Sequence, residues 1–287
     1  MPELPEVEVV KQSLDKKIKF QKITDVLVKS RKLRFKVPKN FHLFLKNKKV
    51  NKISRKSKYL VFHLNNKTFF ITHLGMSGSI HLVSKKKKFS NTNTSFYGPL
   101  NLPTKHNHIL IIFKNFKFIY NDPRRFGFIK VFKNERKLVE FFKNIGPEPL
   151  SQEFKESYVI NYLKNKEKNI KNFLLDQKFV SGIGNIYSSE ILYYSQINPL
   201  KKGKNLTKFE IKKIIYFSRI VLNKAIKKGG SSIRDFKNTK GLSGSYQKEF
   251  KVYQRENSNC LKKYCDGKVI KIIISNRSTF FCNRCQK

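Results

Sequence analysis

The chain has 287 residues, with 62 Lys and Arg against 19 Asp and Glu, for a formal net charge of +43. Hydrophobic residues make up 39% of it, far more than a disordered polycation carries, so it can bury real cores; the length suggests two domains. No window approaches 18 uncharged apolar residues, the acidic MPELPEVEVV start lacks the basic and apolar regions of a secretory signal, and all four cysteines follow residue 259. A membrane protein and a disulfide-scaffolded secreted protein are therefore disfavoured, and a cytoplasmic protein with a polyanionic partner is expected. Lys and Arg displace counterions condensed on phosphates, which favours nucleic acid. The excess of lysine over arginine, 51 to 11, also fits mere decoration of solvated faces.

Val7, Val10, Leu14 and Ile18 recur at helical spacing behind Pro5, predicting an amphipathic helix over residues 5–18. From Ile23 to Phe132 the periods shorten. Tyr59–Leu64, Thr68–Leu74, Ile109–Phe113, Phe116–Asn121 and Phe128–Phe132 read as strands of a β-sandwich or barrel. Residues 82–105 are polar and turn-rich and read as an exposed loop. After Arg136 the pattern turns helical, at Leu138–Lys143, Phe154–Leu163, Ile170–Leu175, Ile186–Tyr194 and Phe209–Ile226; Thr207 and Glu210 make a capping box for the last. GPEPL, Gly146–Leu150, reads as a linker. The tail from Lys251 is strand-like again. The plan is a β domain, a hinge, a helical domain and a small metal-bound β-hairpin, an α+β protein.

Cys260, Cys265, Cys282 and Cys285 read C-x4-C-x16-C-x2-C. Two close thiol pairs separated by a hairpin-sized gap suit tetrahedral structural zinc, and so small a domain needs the metal's folding energy. The first pair is wider than the usual two-residue knuckle.

At the other end, Met1 precedes a small residue, so its removal is expected, leaving Pro2 with a free secondary amine. An α-amine has a pKa of about 7.7–8.0, low enough for a useful neutral fraction near neutrality. Added to a sugar C1′, it gives an iminium that is cationic without a further proton. That electron sink acidifies the 2′-hydrogen and permits loss of the 3′-phosphate, with Glu3 able to relay protons. Alternatively, Pro2 and Pro5 only initiate the helix.

PELPEVE at the start, HLGMSG at 73–78, NDPRRFG at 121–127, GIGNIY at 182–187 and the ending FFCNRCQK occur in one order. Together they resemble the formamidopyrimidine-DNA glycosylase family, the bacterial 8-oxoguanine DNA glycosylase/AP lyases, from Pro2 to Lys287. The resemblance implies a β-sandwich with a leading helix (1–133), a linker (134–150), a helix–two-turn–helix domain (151–250) and a zinc finger (251–287). It implies Pro2 as Schiff-base nucleophile, Glu3 as general acid/base, Lys58 in SRKSKYL assisting β-elimination, and Arg277 in NRSTFF for δ-elimination and phosphate contact. Met76 and Phe126 resemble the wedge that fills the space of a flipped nucleotide, between bend-permitting Gly75, Gly78 and Gly127. Arg124 matches the arginine that meets the orphaned cytosine. His106, Lys166 and Asn185 match DNA-contacting positions, Asn185 lying where two glycines precede a helix and admit a phosphate.

KKGGSSIRDF followed by GLSGSYQ resembles the loop that closes over the flipped purine. Glu6 either faces that pocket or satisfies the helix dipole. The implied partner is damaged double-stranded DNA, acted on by a monomer that associates with the bacterial nucleoid. Two rivals stay open: an endonuclease VIII-like enzyme for oxidised pyrimidines, whose PEGPE start differs from the Leu4 of this chain, and a non-catalytic zinc-containing protein that binds damaged DNA.

Overall fold

The structure is a computed structural model that describes residues 1–84, 104–231 and 244–287, and the backbone of 92–94. It divides into two compact units. Met1–Lys143 joins Lys228–Gln247 in one, and Asn144–Lys227 joins Lys248–Lys287 in the other.

The N-terminal unit opens with helix α1, Leu4–Ile18. Glu3 and Glu6 form a reciprocal capping box with Pro5 in the first turn, which starts the helix immediately after the third residue of the chain. Val7, Val10, Leu14 and Ile18 are at most 1% exposed, so the predicted stripe is the buried one. The strands are β1 (Ile23–Val28), β2 (Val50–Lys56), β3 (Tyr59–Leu64), β4 (Phe69–His73), β5 (Ser79–Ser84), β6 (Thr92–Thr94), β7 (Asn107–Phe113), β8 (Phe116–Asn121) and β9 (Phe128–Phe132). They form two antiparallel sheets, ordered β1-β7-β8-β5-β6 and β2-β3-β4-β9.

One apolar core joins both sheets and α1. Phe62 and Phe70 stack at 4.1 Å as cross-strand partners, and Phe118 of the other sheet meets Phe62 edge-on at 5.9 Å. Truncating aromatics of this kind to Ala typically costs about 3–5 kcal/mol. The opposite face of the smaller sheet is also covered. Val61, Phe69, Ile71, Phe128 and Phe132 pack with helix α3, Glu135–Phe142, through Leu138, Phe141 and Phe142. The loop expected over 82–105 is shorter than predicted: β5 continues to Ser84, and Thr92–Thr94 pairs back on Ile80–Leu82. Residues 85–91 and 95–103 lie outside the described residues.

The C-terminal unit contains α4 (Glu156–Leu163), α5 (Ile170–Leu175), α6 (Asn185–Ser195), α7 (Lys208–Lys227) and the hairpin β10 (Val269–Ile274) and β11 (Arg277–Cys282). Thr207 and Glu210 form the predicted capping box, with main-chain N–H bonds to the two side chains at 2.9 and 3.2 Å. Glu190 on α6 is fully buried and accepts the main-chain N–H groups of Lys251, Val252 and Tyr253 at 2.9–3.0 Å. Burial pushes its pKa up, partly offset by those three donors. This carboxylate fixes the path of the chain into the hairpin, where the four cysteines cluster. The hairpin and its cysteines fit a zinc finger, and the architecture is α+β as predicted. Among the described residues no helix is long and apolar enough to cross a membrane.

Candidate active site and nucleic-acid interface

In the N-terminal unit, Pro2 is buried, Glu3 is 3% exposed and Lys58 5%. Carboxylates and lysines are almost never buried this far without a partner or a function. Lys58 follows Ser57, whose φ of 54° makes the tight turn between β2 and β3. That turn is held by Arg55, which donates to the Ser57 carbonyl at 2.9 Å and to Glu8 of α1 at 2.8 Å. Burial raises the pKa of Glu8, but the hydrogen bonds and charges of Lys11 and Arg55 outweigh it and the net shift is downward. Asp15 also accepts the Ile53 N–H at 2.7 Å. Helix α1, which begins the chain, is thus fastened to the strand that delivers Lys58.

Glu6 uses both of its carboxylate oxygens within the protein. One carboxylate oxygen accepts the Glu3 N–H at 2.9 Å as a helix cap, and the other accepts the Ser231 N–H and hydroxyl at 2.8 and 3.0 Å. Ser231 is the described stem of the segment that resembles the purine-covering loop. Its two ends are joined where Tyr246 N–H meets Gly230 O at 3.2 Å and Ser245 N–H meets Lys228 O at 3.0 Å. Residues 232–243 of that segment lie outside the described residues.

The HLGMSG and NDPRRFG segments are adjacent turns of the same unit. A Cβ on Gly75 would lie 2.5 Å from the Gly127 nitrogen and the Phe126 carbonyl carbon, so the approach is backbone to backbone. Met76 and Phe126, 39% and 44% exposed, project from the two tips, and the Arg124 guanidinium lies 4.6 Å from the Phe126 ring centre. His106, in a single 3-10 turn before β7, is half-buried, and its main-chain carbonyl accepts the Asp122 N–H at 3.1 Å. Its pKa is lowered, by burial first and then by Lys105, His108 and Arg125.

In the C-terminal unit, the GIGNIY turn is built on Gln177. Its side chain accepts the Gly182 N–H at 2.8 Å and donates to the Ile183 carbonyl at 2.9 Å. Gly182, at φ 92°, and Gly184, the N-cap of α6, deliver Asn185 as the first helical residue. Asn185 donates to the Ser278 carbonyl at 2.8 Å, and its own side-chain oxygen is buried without a partner. Asn185 is thus tied to the residue after Arg277. Arg277 is exposed at the hairpin tip, behind a two-residue turn with Ser275 and Asn276 at φ 48° and 57°. The Ser275 hydroxyl donates to Asn172 of α5 at 2.9 Å. Lys166 is exposed on the connection before α5.

The Sγ atoms of Cys260, Cys265, Cys282 and Cys285 all lie within 4.8 Å of one another, and the thiols are free. The Cys260–Cys285 and Cys265–Cys282 separations, 3.8 and 3.7 Å, match the edge of about 3.8 Å of a tetrahedron with Zn–S bonds of about 2.3 Å. Main-chain N–H groups of Lys262 and Arg284 point to Cys260 and Cys282 sulfurs at 3.5 Å. The donor set fits a metal ion, and the wide first pair does not prevent closure.

Sequence reasoning missed Lys171, fully buried, whose ammonium donates to the Asn185 carbonyl at 3.2 Å and to Ser189 at 2.6 Å. A lysine in an apolar helical run, IKNFLL, was the only available signal. It also missed Asp122, Ser77 and Glu190.

Residues 1–129 match the family model described as the formamidopyrimidine-DNA glycosylase N-terminal domain, and residues 145–237 that of its H2TH domain. Proteins named formamidopyrimidine-DNA glycosylase from Wolbachia pipientis (strain wPip) and from Ruthia magnifica are 38% and 39% identical, over 100% of this chain and of theirs. Solved structures of Lactococcus lactis Fpg include a variant in complex with a Fapy-dG containing DNA, 33% identical over 100% of both chains with a TM-score of 0.86. Another, in complex with an abasic site containing DNA, is 33% identical over 99% of both chains, also at 0.86. With these matches running the length of both units, the chain belongs to the formamidopyrimidine-DNA glycosylase family.

Proposed function

We propose that this chain excises 8-oxoguanine and formamidopyrimidines from damaged duplex DNA in base-excision repair and then cleaves the strand at the abasic site. The observation that carries the reading is the buried corner of the N-terminal unit, where Pro2 and Glu3 open a helix fastened to the turn bearing Lys58.

Removal of Met1, which is 44% exposed, frees the Pro2 nitrogen. That nitrogen attacks C1′ of the damaged nucleotide; the N–C1′ bond forms as the glycosidic bond breaks, and the departing base takes a proton. Loss of the amine proton gives a neutral aminal; proton transfer from Glu3 to O4′ as the C1′–O4′ bond breaks opens the sugar and leaves the cationic iminium. Glu3 holds and moves protons at the sugar, and Lys58 assists removal of the 2′-hydrogen, so that the 3′-phosphate leaves by β-elimination. Arg277, with a planar fork suited to phosphate, serves the δ-elimination of the 5′-phosphate. Met76 and Phe126 fill the vacated stack and Arg124 donates to the orphaned cytosine. His106, Lys166 and Asn185 contact the phosphate backbone.

The four cysteines hold one zinc ion, which supplies folding energy and no reacting group. The N-terminal unit, with α3 packed on its smaller sheet, acts as the catalytic β-sandwich, the helices of the other unit bind DNA, and residues 251–287 act as a zinc finger. The protein works as a monomer in the cytoplasm, on the nucleoid.

The test is borohydride reduction during turnover of a duplex with 8-oxoguanine opposite cytosine. A covalent adduct that maps to the Pro2 peptide is expected, and protein retaining Met1 gives none. An adduct on a lysine, or full nicking by Met1-blocked protein, overturns the Pro2 assignment. Faster release of thymine glycol than of 8-oxoguanine transfers the chain to the endonuclease VIII-like reading. No adduct from zinc-replete, processed protein leaves the damage-binding module.

A further inference from the structure

We infer that Asp122 is a positioning residue that assembles Met76, Arg124 and Phe126 into one wedge before DNA arrives, and that it thereby sets the discrimination of the base opposite the lesion. The inference rests on the glycosylase reading and adds to it a residue that touches no DNA.

The carboxylate is fully buried, and both oxygens are used on elements that carry wedge residues. One oxygen accepts the Ser77 hydroxyl at 2.5 Å, next to Met76. The other accepts the Gly127 N–H at 2.8 Å, next to Phe126, and the Tyr120 hydroxyl at 3.3 Å. Ser77 is the relay: as its hydroxyl donates to Asp122, its oxygen accepts the Arg124 N–H at 3.2 Å. One anion therefore fixes the backbone beside all three side chains.

Asp122 is itself held. Its N–H donates to the His106 carbonyl at 3.1 Å, and its carbonyl pairs with His108 Nε2 at 2.8 Å. The loops have no slack to reach this arrangement otherwise. Gly75 packs on the Phe126–Gly127 peptide, and a Cβ on Gly127 would stand 2.0 Å from the Tyr120 hydroxyl. A carboxylate taken out of water is costly unless its lone pairs are satisfied. Here two of the three side-chain and main-chain donors, Ser77 and Gly127, come from the two loops, so the cost is fully offset only when both are docked. Arg124 and Phe126, stacked at the tip, thus present donors and an apolar face at fixed spacing without ordering entropy at the encounter.

The experiment compares wild type with Ser77→Ala, Asp122→Asn, Asp122→Ala and Arg124→Ala on 8-oxoguanine opposite cytosine and opposite adenine. It adds cleavage of a preformed abasic site in single-stranded DNA, where no opposing base exists. Ser77→Ala removes one charge-assisted hydrogen bond and is expected to lower the cytosine-to-adenine excision ratio about tenfold. Single-strand cleavage should change by less than about twofold. Ser77→Ala added to Arg124→Ala should lower the ratio no further, because both act through the same guanidinium. Should Asp122→Ala fail to fold, Ser77→Ala and Asp122→Asn carry the comparison. An unchanged ratio in Ser77→Ala and Asp122→Asn, with the ratio lost in Arg124→Ala, overturns the role of Asp122. Equal losses on single-stranded and duplex substrates also overturn it, by reducing it to general stability. Wild type that releases no 8-oxoguanine opposite cytosine strikes the glycosylase reading instead.

Discussion

His73 shows how one residue couples the corner proposed for catalysis to the turn proposed as the wedge. It ends β4, stacks on Phe128 at 5.5 Å, and its Nδ1 accepts the Gly75 N–H at 3.1 Å, so the neutral ring carries its proton on Nε2. Burial, then the charges of Lys58 and Arg34, bring its pKa down from 6.5 to about 4. Burial alone does the same for His81, whose Nε2 pairs with the Ser79 hydroxyl at 2.8 Å. An unfolded histidine gains its proton near pH 6.5, whereas the folded ring stays neutral down to about 4. The stability each neutral ring contributes is therefore present above pH 6.5 and lost as pH falls through 4, about 3 kcal/mol per ring. In ring-resolved NMR titration, both signals should stay flat until pH 5. A His73 signal moving near pH 6 would mean that the Gly75 turn does not use the ring as an acceptor. Residues of this kind were hidden in the sequence. Pro2, Glu3 and Lys58 lie within ordered motifs, so they could be named there. Asp122 meets Ser77 across 45 positions, and Lys171 meets Ser189 across 18, so only folding reveals those pairings.

At the scale of elements, strands were legible where both faces are covered. Tyr59–Leu64 and Phe128–Phe132 have the predicted bounds because one face meets the core and the other meets α3. Strands β1 and β2 escaped because solvent-facing Thr24, Asp25, Asn51 and Lys52 interrupt their apolar positions. Helix α2, Phe41–Leu45, is too short to show a period. The cysteine hairpin was readable from spacing alone. Its apolar cluster is small, built on Tyr193, Val252, Val269 and Phe280 around Cys260 and Cys282, and zinc-finger metals contribute about 10–16 kcal/mol to folding. Chelation, or Cys282→Ser at a fully buried position, should therefore release zinc and open residues 254–287 to protease while α6 and α7 stay resistant. Arg277 would lose its place, and strand cleavage by δ-elimination should fall more than β-elimination. A chelated protein with a protease-resistant hairpin and unchanged δ-elimination would refute the metal's structural role.

Over the whole chain, the question is how much of the +43 charge serves DNA. Some lysines are engaged within the protein: Lys201 with Glu210 at 2.6 Å, Lys224 with Glu249 at 2.8 Å, and Lys202 and Lys204 both with Glu167. Many other described lysines are exposed, and composition cannot distinguish them from phosphate ligands. Salt dependence can. Each phosphate neutralised by a cation contributes about −0.9 to the slope of log affinity against log salt on duplex DNA. Lys166 is exposed and is proposed to meet a phosphate, so Lys166→Ala should make the slope less negative by about 0.9 and weaken damaged and undamaged duplexes by the same factor. Lys39, exposed before α2 and outside every proposed contact, serves as the control; its replacement by Ala should leave the slope within error of wild type. Equal changes from the two variants would assign the basic surface as a diffuse counterion cloud, and Lys166 would lose its place as a specific phosphate ligand.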